Sequence, residues 1–135
     1  MQGPTRVTIV KAQEGRVKIR EEVLDNGITI VFNDESNRYF GDYHRICIVA
    51  AITCPLPQDK DTFWQQARTQ LGEQLSVTRS FERMGVASAN VETTRQSMID
   101  EFMQSNVAYM QREQYLRSLV QAELSKRKPG RSYGY

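Results

Sequence analysis

The single histidine and the two cysteines are the side chains best suited to chemistry, and their spacing keeps them apart. They lie in one run, His44-Arg-Ile-Cys-Ile-Val-Ala-Ala-Ile-Thr-Cys54, whose composition predicts a β-strand. Cys47 and Cys54 are an odd number of positions apart, so they point to opposite faces, about 23 Å from each other along the strand. They can neither form a disulfide nor share a metal ion within one chain. We interpret both as buried structural thiols, with a redox or intersubunit role as the alternative.

An imidazole held by a carboxylate is a potential general base, and Asp42 and His44 could share one side of this strand. The local sequence places no serine or cysteine nucleophile beside them, since Cys47 faces the other way. Three separated His and Cys side chains cannot supply the four ligands of a structural zinc site. Neither glycine-rich phosphate-binding motif occurs. We therefore predict no catalytic, metal-binding or cofactor-binding residue and no cofactor, and keep an enzyme with a site near Asp42 and His44 as one alternative.

Two groups of residues are better suited to binding than to catalysis. Residues 37–45 interleave aromatic and basic side chains, which can stack nucleic-acid bases while holding phosphates, or can pack the segment onto a sheet edge. A second group follows helical spacing near the C-terminus and can serve either a core or a partner. The candidate interaction residues are Arg38, Tyr39, Phe40, Tyr43, Arg45, Tyr109, Met110, Leu116 and Leu119.

The composition is that of an ordinary globular domain, with 39% hydrophobic and 25% charged residues in 135 positions. The net charge is +2, and the last ten residues alone contain four basic and no acidic side chains. The positive balance thus belongs to the C-terminal tail, which weakens the case for a nucleic-acid surface on the domain itself. No apolar run is long enough to span a bilayer and the N-terminus lacks an export signal, so we expect no membrane partner and a cytoplasmic location.

The N-terminal part of the chain has the pattern of strands. Val17–Leu24 and Ile28–Asn33 flank Asp25-Asn26-Gly27, and an Asn-Gly pair between strand-like runs favours a hairpin. The run from His44 to Cys54 is apolar on both faces, which is typical of a strand at the centre of a sheet or covered on both sides. We predict a three- or four-stranded antiparallel meander within residues 6–55.

The remainder has helical spacing. Trp64, Ala67, Leu71 and Leu75 form one stripe, and Asp59 or Asp61 can cap the helix that carries it. A second stripe begins after Asn90 and continues to residue 126. These patterns predict two long antiparallel helices, residues 60–84 and 90–126, packed on one face of the sheet. The predicted fold class is α+β, with one domain over residues 1–128 and a flexible basic tail over 129–135.

The length of the second helix favours a homodimer. Residues 91–126 in one helix would extend about 54 Å, whereas a domain of this size is about 30–35 Å across. The helix must therefore break, with Ser105-Asn106 as the weak point, or project and expose an apolar stripe to a partner. Strand 44–54 is apolar on both faces, so its second face must also be buried. We predict a non-enzymatic homodimeric interaction or assembly module, with a nucleic-acid-binding accessory protein as the alternative and another protein as a further candidate partner.

Overall fold

The structure is a computed structural model that describes the backbone of residues 10–11 and all of residues 17–126. A 3₁₀ turn, Ser88–Asn90, precedes the helix that begins at Val91. The predicted α+β class is confirmed. In chain order the elements are β1 (Val10–Lys11), β2 (Val17–Val23), β3 (Thr29–Asp34), β4 (Asn37–Phe40), β5 (Tyr43–Pro55), α1 (Thr62–Leu71), β6 (Gln74–Ala87), α2 (Val91–Met110) and α3 (Glu113–Lys126).

All the described strands belong to one antiparallel sheet with β5 at its centre. β3 and β4 lie along the same edge of β5 in a single register that is interrupted at residues 35–36. At the interruption the Cys47 N–H donates to the Ser36 hydroxyl at 2.9 Å, so the side chain replaces a main-chain acceptor. β2 and β1 extend the sheet beyond β3, and β6 pairs with the other edge of β5 over almost its whole length. The predicted meander is confirmed, and β6 is an addition to it.

The turn Asp25-Asn26-Gly27 joins β2 to β3, as its sequence predicts. Gly27 has a φ of 91°, a conformation that side chains with a Cβ rarely adopt. The Asn26 side chain accepts from the Ile28 N–H at 3.2 Å and donates to the Met110 carbonyl at 3.1 Å. Met110 is the last residue of α2, where carbonyls lack an intrahelical partner. One side chain therefore fixes the hairpin and caps the helix above it.

Replacing Asn26 by alanine is expected to lower the free energy of unfolding by about 1–3 kcal/mol, because the Met110 carbonyl loses its donor and the turn loses its acceptor. Urea denaturation followed by circular dichroism measures this. Asn90→Ala is the matched control, since Asn90 is exposed and its side chain makes no cap hydrogen bond. An equal loss in both variants would contradict the capping role of Asn26.

The helices cover one face of the sheet. The side chains of β5 at even positions from Ile46 to Cys54 are at most 1% exposed. They pack with Ile30 and Phe32 of β3, and α2 closes the cluster from above with Met98 and other apolar side chains. This is the apolar face predicted for the strand, and it forms the main core.

The opposite face carries small and β-branched side chains, and its two apolar members nearest the middle of β5 are already covered. Cys47 and Val49 are 5% and 7% exposed in the single chain. These two side chains therefore need no second subunit to cover them. Other side chains of this face include Thr29, Val31, Asn33, Ala51, Thr53, Ser76, Thr78, Ser80 and Glu82, and β2 adds Lys18, Glu21 and Val23.

The predicted helix over residues 60–84 is wrong beyond residue 71. Asp61 caps α1 by accepting from the Phe63 N–H at 3.0 Å, as its type predicts. The helix ends at Gly72, whose φ is 96°. The next fourteen residues form β6 rather than helix. β6 supplies hydrogen-bond partners to the second edge of β5. The alternation of Leu75 and Val77 with polar residues also fits a strand better than a helix.

The predicted helix over residues 90–126 is two helices that meet at Gln111-Arg112. The break is not at Ser105-Asn106, where α2 continues and the Asn106 side chain donates to the Phe102 carbonyl at 2.8 Å. Met110 and Tyr115 are both buried, at 2% and 7% exposure. In one straight helix these positions would point about 140° apart. Turning the chain after residue 110 lets both side chains enter the same core.

α1 and α3 form a second apolar cluster at one end of the sheet, around the buried Trp64. Leu116 and Leu119 pack against both clusters, which joins this end to the main core. No helix projects from the sheet among residues 17–126, so the length argument for a dimer does not hold. The predicted tail, residues 129–135, lies outside the described residues.

Candidate functional site

β6 is an edge strand of 14 residues, the longest strand of the described sheet. It pairs with β5 on one side, and no described strand pairs with it on the other. A β-bulge interrupts it near its end, where Met84 and Gly85 lie opposite Arg45. Gly85 has a φ of 69°, which suits such a bulge. The stretch before the bulge is regular and offers main-chain groups to a further strand.

The direction of these main-chain groups follows from one hydrogen bond. The Leu56 N–H donates to the Glu73 carbonyl at 2.9 Å, which places this pair in the register of β5 and β6. In an antiparallel ladder the residues that bond to the neighbour alternate with residues that bond away from it. Leu75, Val77, Arg79 and Phe81 therefore bond to β5. The N–H and C=O groups that point to the free edge belong to Ser76, Thr78, Ser80 and Glu82, and the exposed Arg79 guanidinium donates to the Thr78 carbonyl at 3.0 Å.

A second hydrogen bond supports the same assignment. The Glu35 N–H donates to the Cys47 carbonyl at 2.8 Å on the other side of β5. Odd residues of β5 thus bond toward β3 and β4, which leaves its even residues to bond toward β6. Each even residue of β5 faces an odd residue of β6 in the observed register. The hydrogen bonds on the two sides of β5 therefore give the same assignment of inward and outward residues in β6.

A groove runs beside β6, between this strand and α2. The Phe102 ring stacks on the Phe81 ring with centroids 5.2 Å apart, and meets Phe32 edge to face at 5.6 Å. An ion pair of 3.3 Å between Arg83 and Glu101 crosses the groove. Cavities of about 260 Å³ and 210 Å³ lie along it, and both are lined by Phe102 and Asn106. The groove has an aromatic floor and charged walls, next to the free main-chain edge.

The aromatic residues predicted to bind lie at the tip of the hairpin between β4 and β5. Phe40 is 71% exposed, and Tyr39 and Tyr43 are about half exposed. Arg38 is exposed beside them. Residues 37–40 are a strand, whereas the sequence indicated a loop, because Gly41-Asp42 alone makes the turn. The four side chains are together on one exposed tip.

Two further residues modify this surface. Arg45 donates to Glu82 at 2.7 Å and to the Asn37 side chain at 3.2 Å, so its charge is engaged on the sheet rather than held at the tip. Met84, which the sequence reading missed, is 53% exposed. Its position in the bulge of β6 depends on the pairing with β5, and no local pattern signals it.

The predicted helical stripe does not form an interaction surface as a group. Met110 belongs to the core, since its side chain is 2% exposed. Leu116 and Leu119 are half buried between the two apolar clusters. Tyr109 alone is largely exposed, and its ring meets Tyr115 edge to face at 5.2 Å. The break after α2 explains the difference, because it folds the stripe onto the domain.

The fold brings a serine to the predicted pair of Asp42 and His44. His44 Nε2 lies 2.9 Å from the Ser88 hydroxyl, and the Ser88 N–H donates to the Asp42 carbonyl oxygen at 3.1 Å and, at 3.3 Å, to its carboxylate. Hydrogen bonds from Ser88 hold the pKa of the Asp42 carboxyl below its usual value. Ser88 begins the 3₁₀ turn after β6, so local sequence could not indicate its position.

The contacts in this cluster are those of an imidazole with a serine hydroxyl, but they are not those of a complete hydrolytic triad. In hydrolytic triads the carboxylate holds the far nitrogen of the imidazole and the imidazole contacts the serine. Here the Asp42 carboxylate contacts Ser88 itself, and Asp42 and Ser88 are both exposed. The cavities of about 210, 260 and 450 Å³ among the described residues are lined by other residues. The arrangement ties the hairpin tip to the end of β6.

The two thiols are buried on different faces of β5, as their spacing predicts. Burial raises the pKa of Cys54 to about 11, and it also raises the pKa of Cys47. The native protein at pH 8 is therefore expected to react with Ellman's reagent far more slowly than a free thiol, because the thiolate is the reactive form. Unfolding in guanidinium should release two reactive thiols. Rapid labelling of the native chain would contradict this burial.

The remaining features concern metals, membranes and known proteins. Among the described residues no three His, Cys, Asp or Glu side chains lie together as a metal site. No helix within residues 17–126 is both long and apolar enough to cross a membrane. Comparisons with protein-family models, with curated proteins and with solved structures found no match.

Proposed function

We propose that this protein is a non-enzymatic interaction module that adds an extended strand of another polypeptide to the free edge of β6. The observation that supports the proposal is the regular stretch of β6 before its bulge, whose outward main-chain groups have no described partner strand. Strand addition to a sheet edge derives its affinity from such groups, while neighbouring pockets select side chains. The groove between β6 and α2 lies where side chains of an added strand would enter.

The test is selection of displayed random peptides of about ten residues, the usual length of a longer strand, on the immobilised full chain. Enriched peptides are expected to bind the native protein and to bind Ser80→Pro at least about tenfold more weakly, because proline removes an outward N–H. Ser80→Ala is the matched control, since it keeps the main-chain donor. Peptides that bind Ser80→Pro as well as the native chain, or a selection without enrichment on a chain that is monomeric, would overturn the proposal.

A second candidate function is binding of single-stranded nucleic acid at the hairpin tip. It is favoured by the exposure of Phe40, Tyr39 and Tyr43 beside Arg38, because exposed rings can stack on bases. A fluorescent oligonucleotide should then bind with an affinity that falls steeply with salt, and deletion of residues 126–135 should reduce that slope. Phe40→Ala should weaken binding by about 1–3 kcal/mol. Absence of binding at low salt excludes this function.

A further inference from the structure

We infer that the strand added to β6 is β6 of a second copy of this chain, so that two sheets join into one across a twofold axis at Ser80. This inference rests on the proposed function, because it names the partner of the same edge. The two β6 strands run antiparallel, with the Ser80 residues of both subunits opposite each other. The dimer contact is therefore the sheet edge rather than the helical stripe.

Symmetry and the direction of the main-chain groups agree with this pairing. A twofold axis perpendicular to the sheet places each outward-bonding residue opposite another outward-bonding residue. Ser80 then faces its own copy, and Thr78 faces Glu82 of the partner subunit. Both subunits keep their helices on the same side of the joined sheet, as each subunit requires for its core.

Charge excludes three of the available registers. An axis at Arg79 would place two arginines directly opposite each other, an axis at Phe81 would place Arg79 opposite Arg83, and an axis at Glu82 would oppose two carboxylates. Like charges directly opposite each other in a ladder are unfavourable. The axis at Ser80 avoids all three conflicts, because Glu82 then faces Thr78 of the partner subunit.

The register at Ser80 also places no like charge directly opposite Arg79 or Arg83. Arg79 lies opposite Phe81 of the partner subunit, where a guanidinium can approach an aromatic ring. Arg83 lies opposite Val77 of the partner subunit and keeps its own ion pair with Glu101. An axis at Thr78 is free of like charges too, but it pairs Phe81 with Leu75, which is only 7% exposed in its own core.

The bulge sets the limit of the pairing. Residues 77–83, which are centred on Ser80, are regular, and the irregularity at Met84-Gly85 lies just beyond them. A bulge at this point turns the strand away from a straight edge. The joined segment therefore coincides with the regular segment of β6.

Cysteine cross-linking tests the axis directly. In the inferred register the two Cα atoms at position 80 are about 5.5 Å apart, within the range of a disulfide. Mild oxidation of Ser80→Cys should convert most of the full chain into a covalent dimer on a non-reducing gel. Ser76→Cys is the control, because two residues at position 76 would be about 26 Å apart. The native chain, with both thiols buried, gives the background.

Light scattering of the native full chain over a range of concentrations completes the test. A dimer that becomes monomeric in Ser80→Pro, together with cross-linking at position 80, supports the inference. A native monomer at tens of micromolar overturns it, as does cross-linking of Thr78→Cys in place of Ser80→Cys. A monomer that dimerises only after deletion of residues 127–135 also overturns it, since the chain's own tail would then occupy the edge.

These outcomes separate the inference from the proposed function. If displayed peptides bind the edge of β6 and the native chain is nevertheless monomeric, the partner is another protein and only the inference fails. If the native chain is monomeric and no displayed peptide is enriched, strand addition itself is wrong. A dimer that persists in Ser80→Pro places the subunit contact elsewhere and overturns the inference.

Discussion

Replacing Trp64 by alanine is expected to lower the free energy of unfolding by about 3–5 kcal/mol, among the largest effects of any single substitution. The indole is 2% exposed and fills the cluster that joins α1 and α3 to the end of the sheet. Its ring also borders a cavity of about 450 Å³ lined by Ile28, Pro55 and Leu56, among others. Removing the indole enlarges space that already exists, so the surroundings cannot close it. Guanidinium denaturation followed by circular dichroism measures the loss.

Phe63→Ala is the matched control for this substitution. Phe63 precedes Trp64 on α1 and is half buried, and its ring meets the Trp64 ring edge to face at 4.8 Å. The Arg117 guanidinium lies 4.6 Å from the Phe63 ring centre. Losing this exposed contact should cost about 1–2 kcal/mol. A loss in Phe63→Ala equal to or larger than that in Trp64→Ala would show that the cluster is not centred on the indole.

The strands of the N-terminal half could be predicted because their signals are local. An Asn-Gly turn needs a residue that tolerates positive φ, and Gly27 supplies it within three residues of the strands it joins. The alternation in β5 separates Ile48 from Val49 without reference to the rest of the chain. Alternating patterns of this kind can be recognised in the sequence, because the pleat imposes them on each strand independently of its neighbours.

β6 was missed because its residues satisfy two periods. Leu75 and Phe81 continue the helical spacing of Trp64, while Leu75 and Val77 also alternate as in a strand. The choice depends on β5, which offers a second edge that must be paired. That requirement acts across the connection through α1 and cannot be seen in a window of neighbouring residues. The misassigned segment is the one on which the proposed function now depends.

The candidate sites show the same division between local and long-range information. That Tyr39, Phe40 and Tyr43 lie around one turn was predictable from local sequence, whereas their exposure was one of two alternatives. The contact between His44 and Ser88 joins positions 44 residues apart, so only the pairing of β5 with β6 creates it. The helical spacing left open whether Met110 serves the core or a partner, and the structure places it in the core. The break after α2 follows from the burial of side chains on both sides of it.

Arg79→Pro is expected to lower the free energy of unfolding by about 2–4 kcal/mol, whereas Ser80→Pro, one residue later, should cost less than about 1 kcal/mol. The difference follows from the direction of two N–H groups. The register and the bond from Leu56 to Glu73 direct the Arg79 N–H to β5, so proline there removes a ladder bond and leaves a carbonyl of the central strand without its donor. The Ser80 N–H points to the free edge, where proline is tolerated.

Urea denaturation at low protein concentration measures both losses without a contribution from subunit association, which would otherwise stabilise the native chain by mass action. Arg79→Ala separates the effect of the side chain from that of the main chain. Equal losses in the two proline variants would mean that the outward groups of β6 are misassigned, and strand addition through Ser80 would then lose its basis. If Arg79→Pro loses more free energy of unfolding, and Ser80→Pro remains folded as a monomer, the two adjacent N–H groups point in opposite directions. The Arg79 N–H then holds the sheet of one subunit together, and the Ser80 N–H binds the next strand.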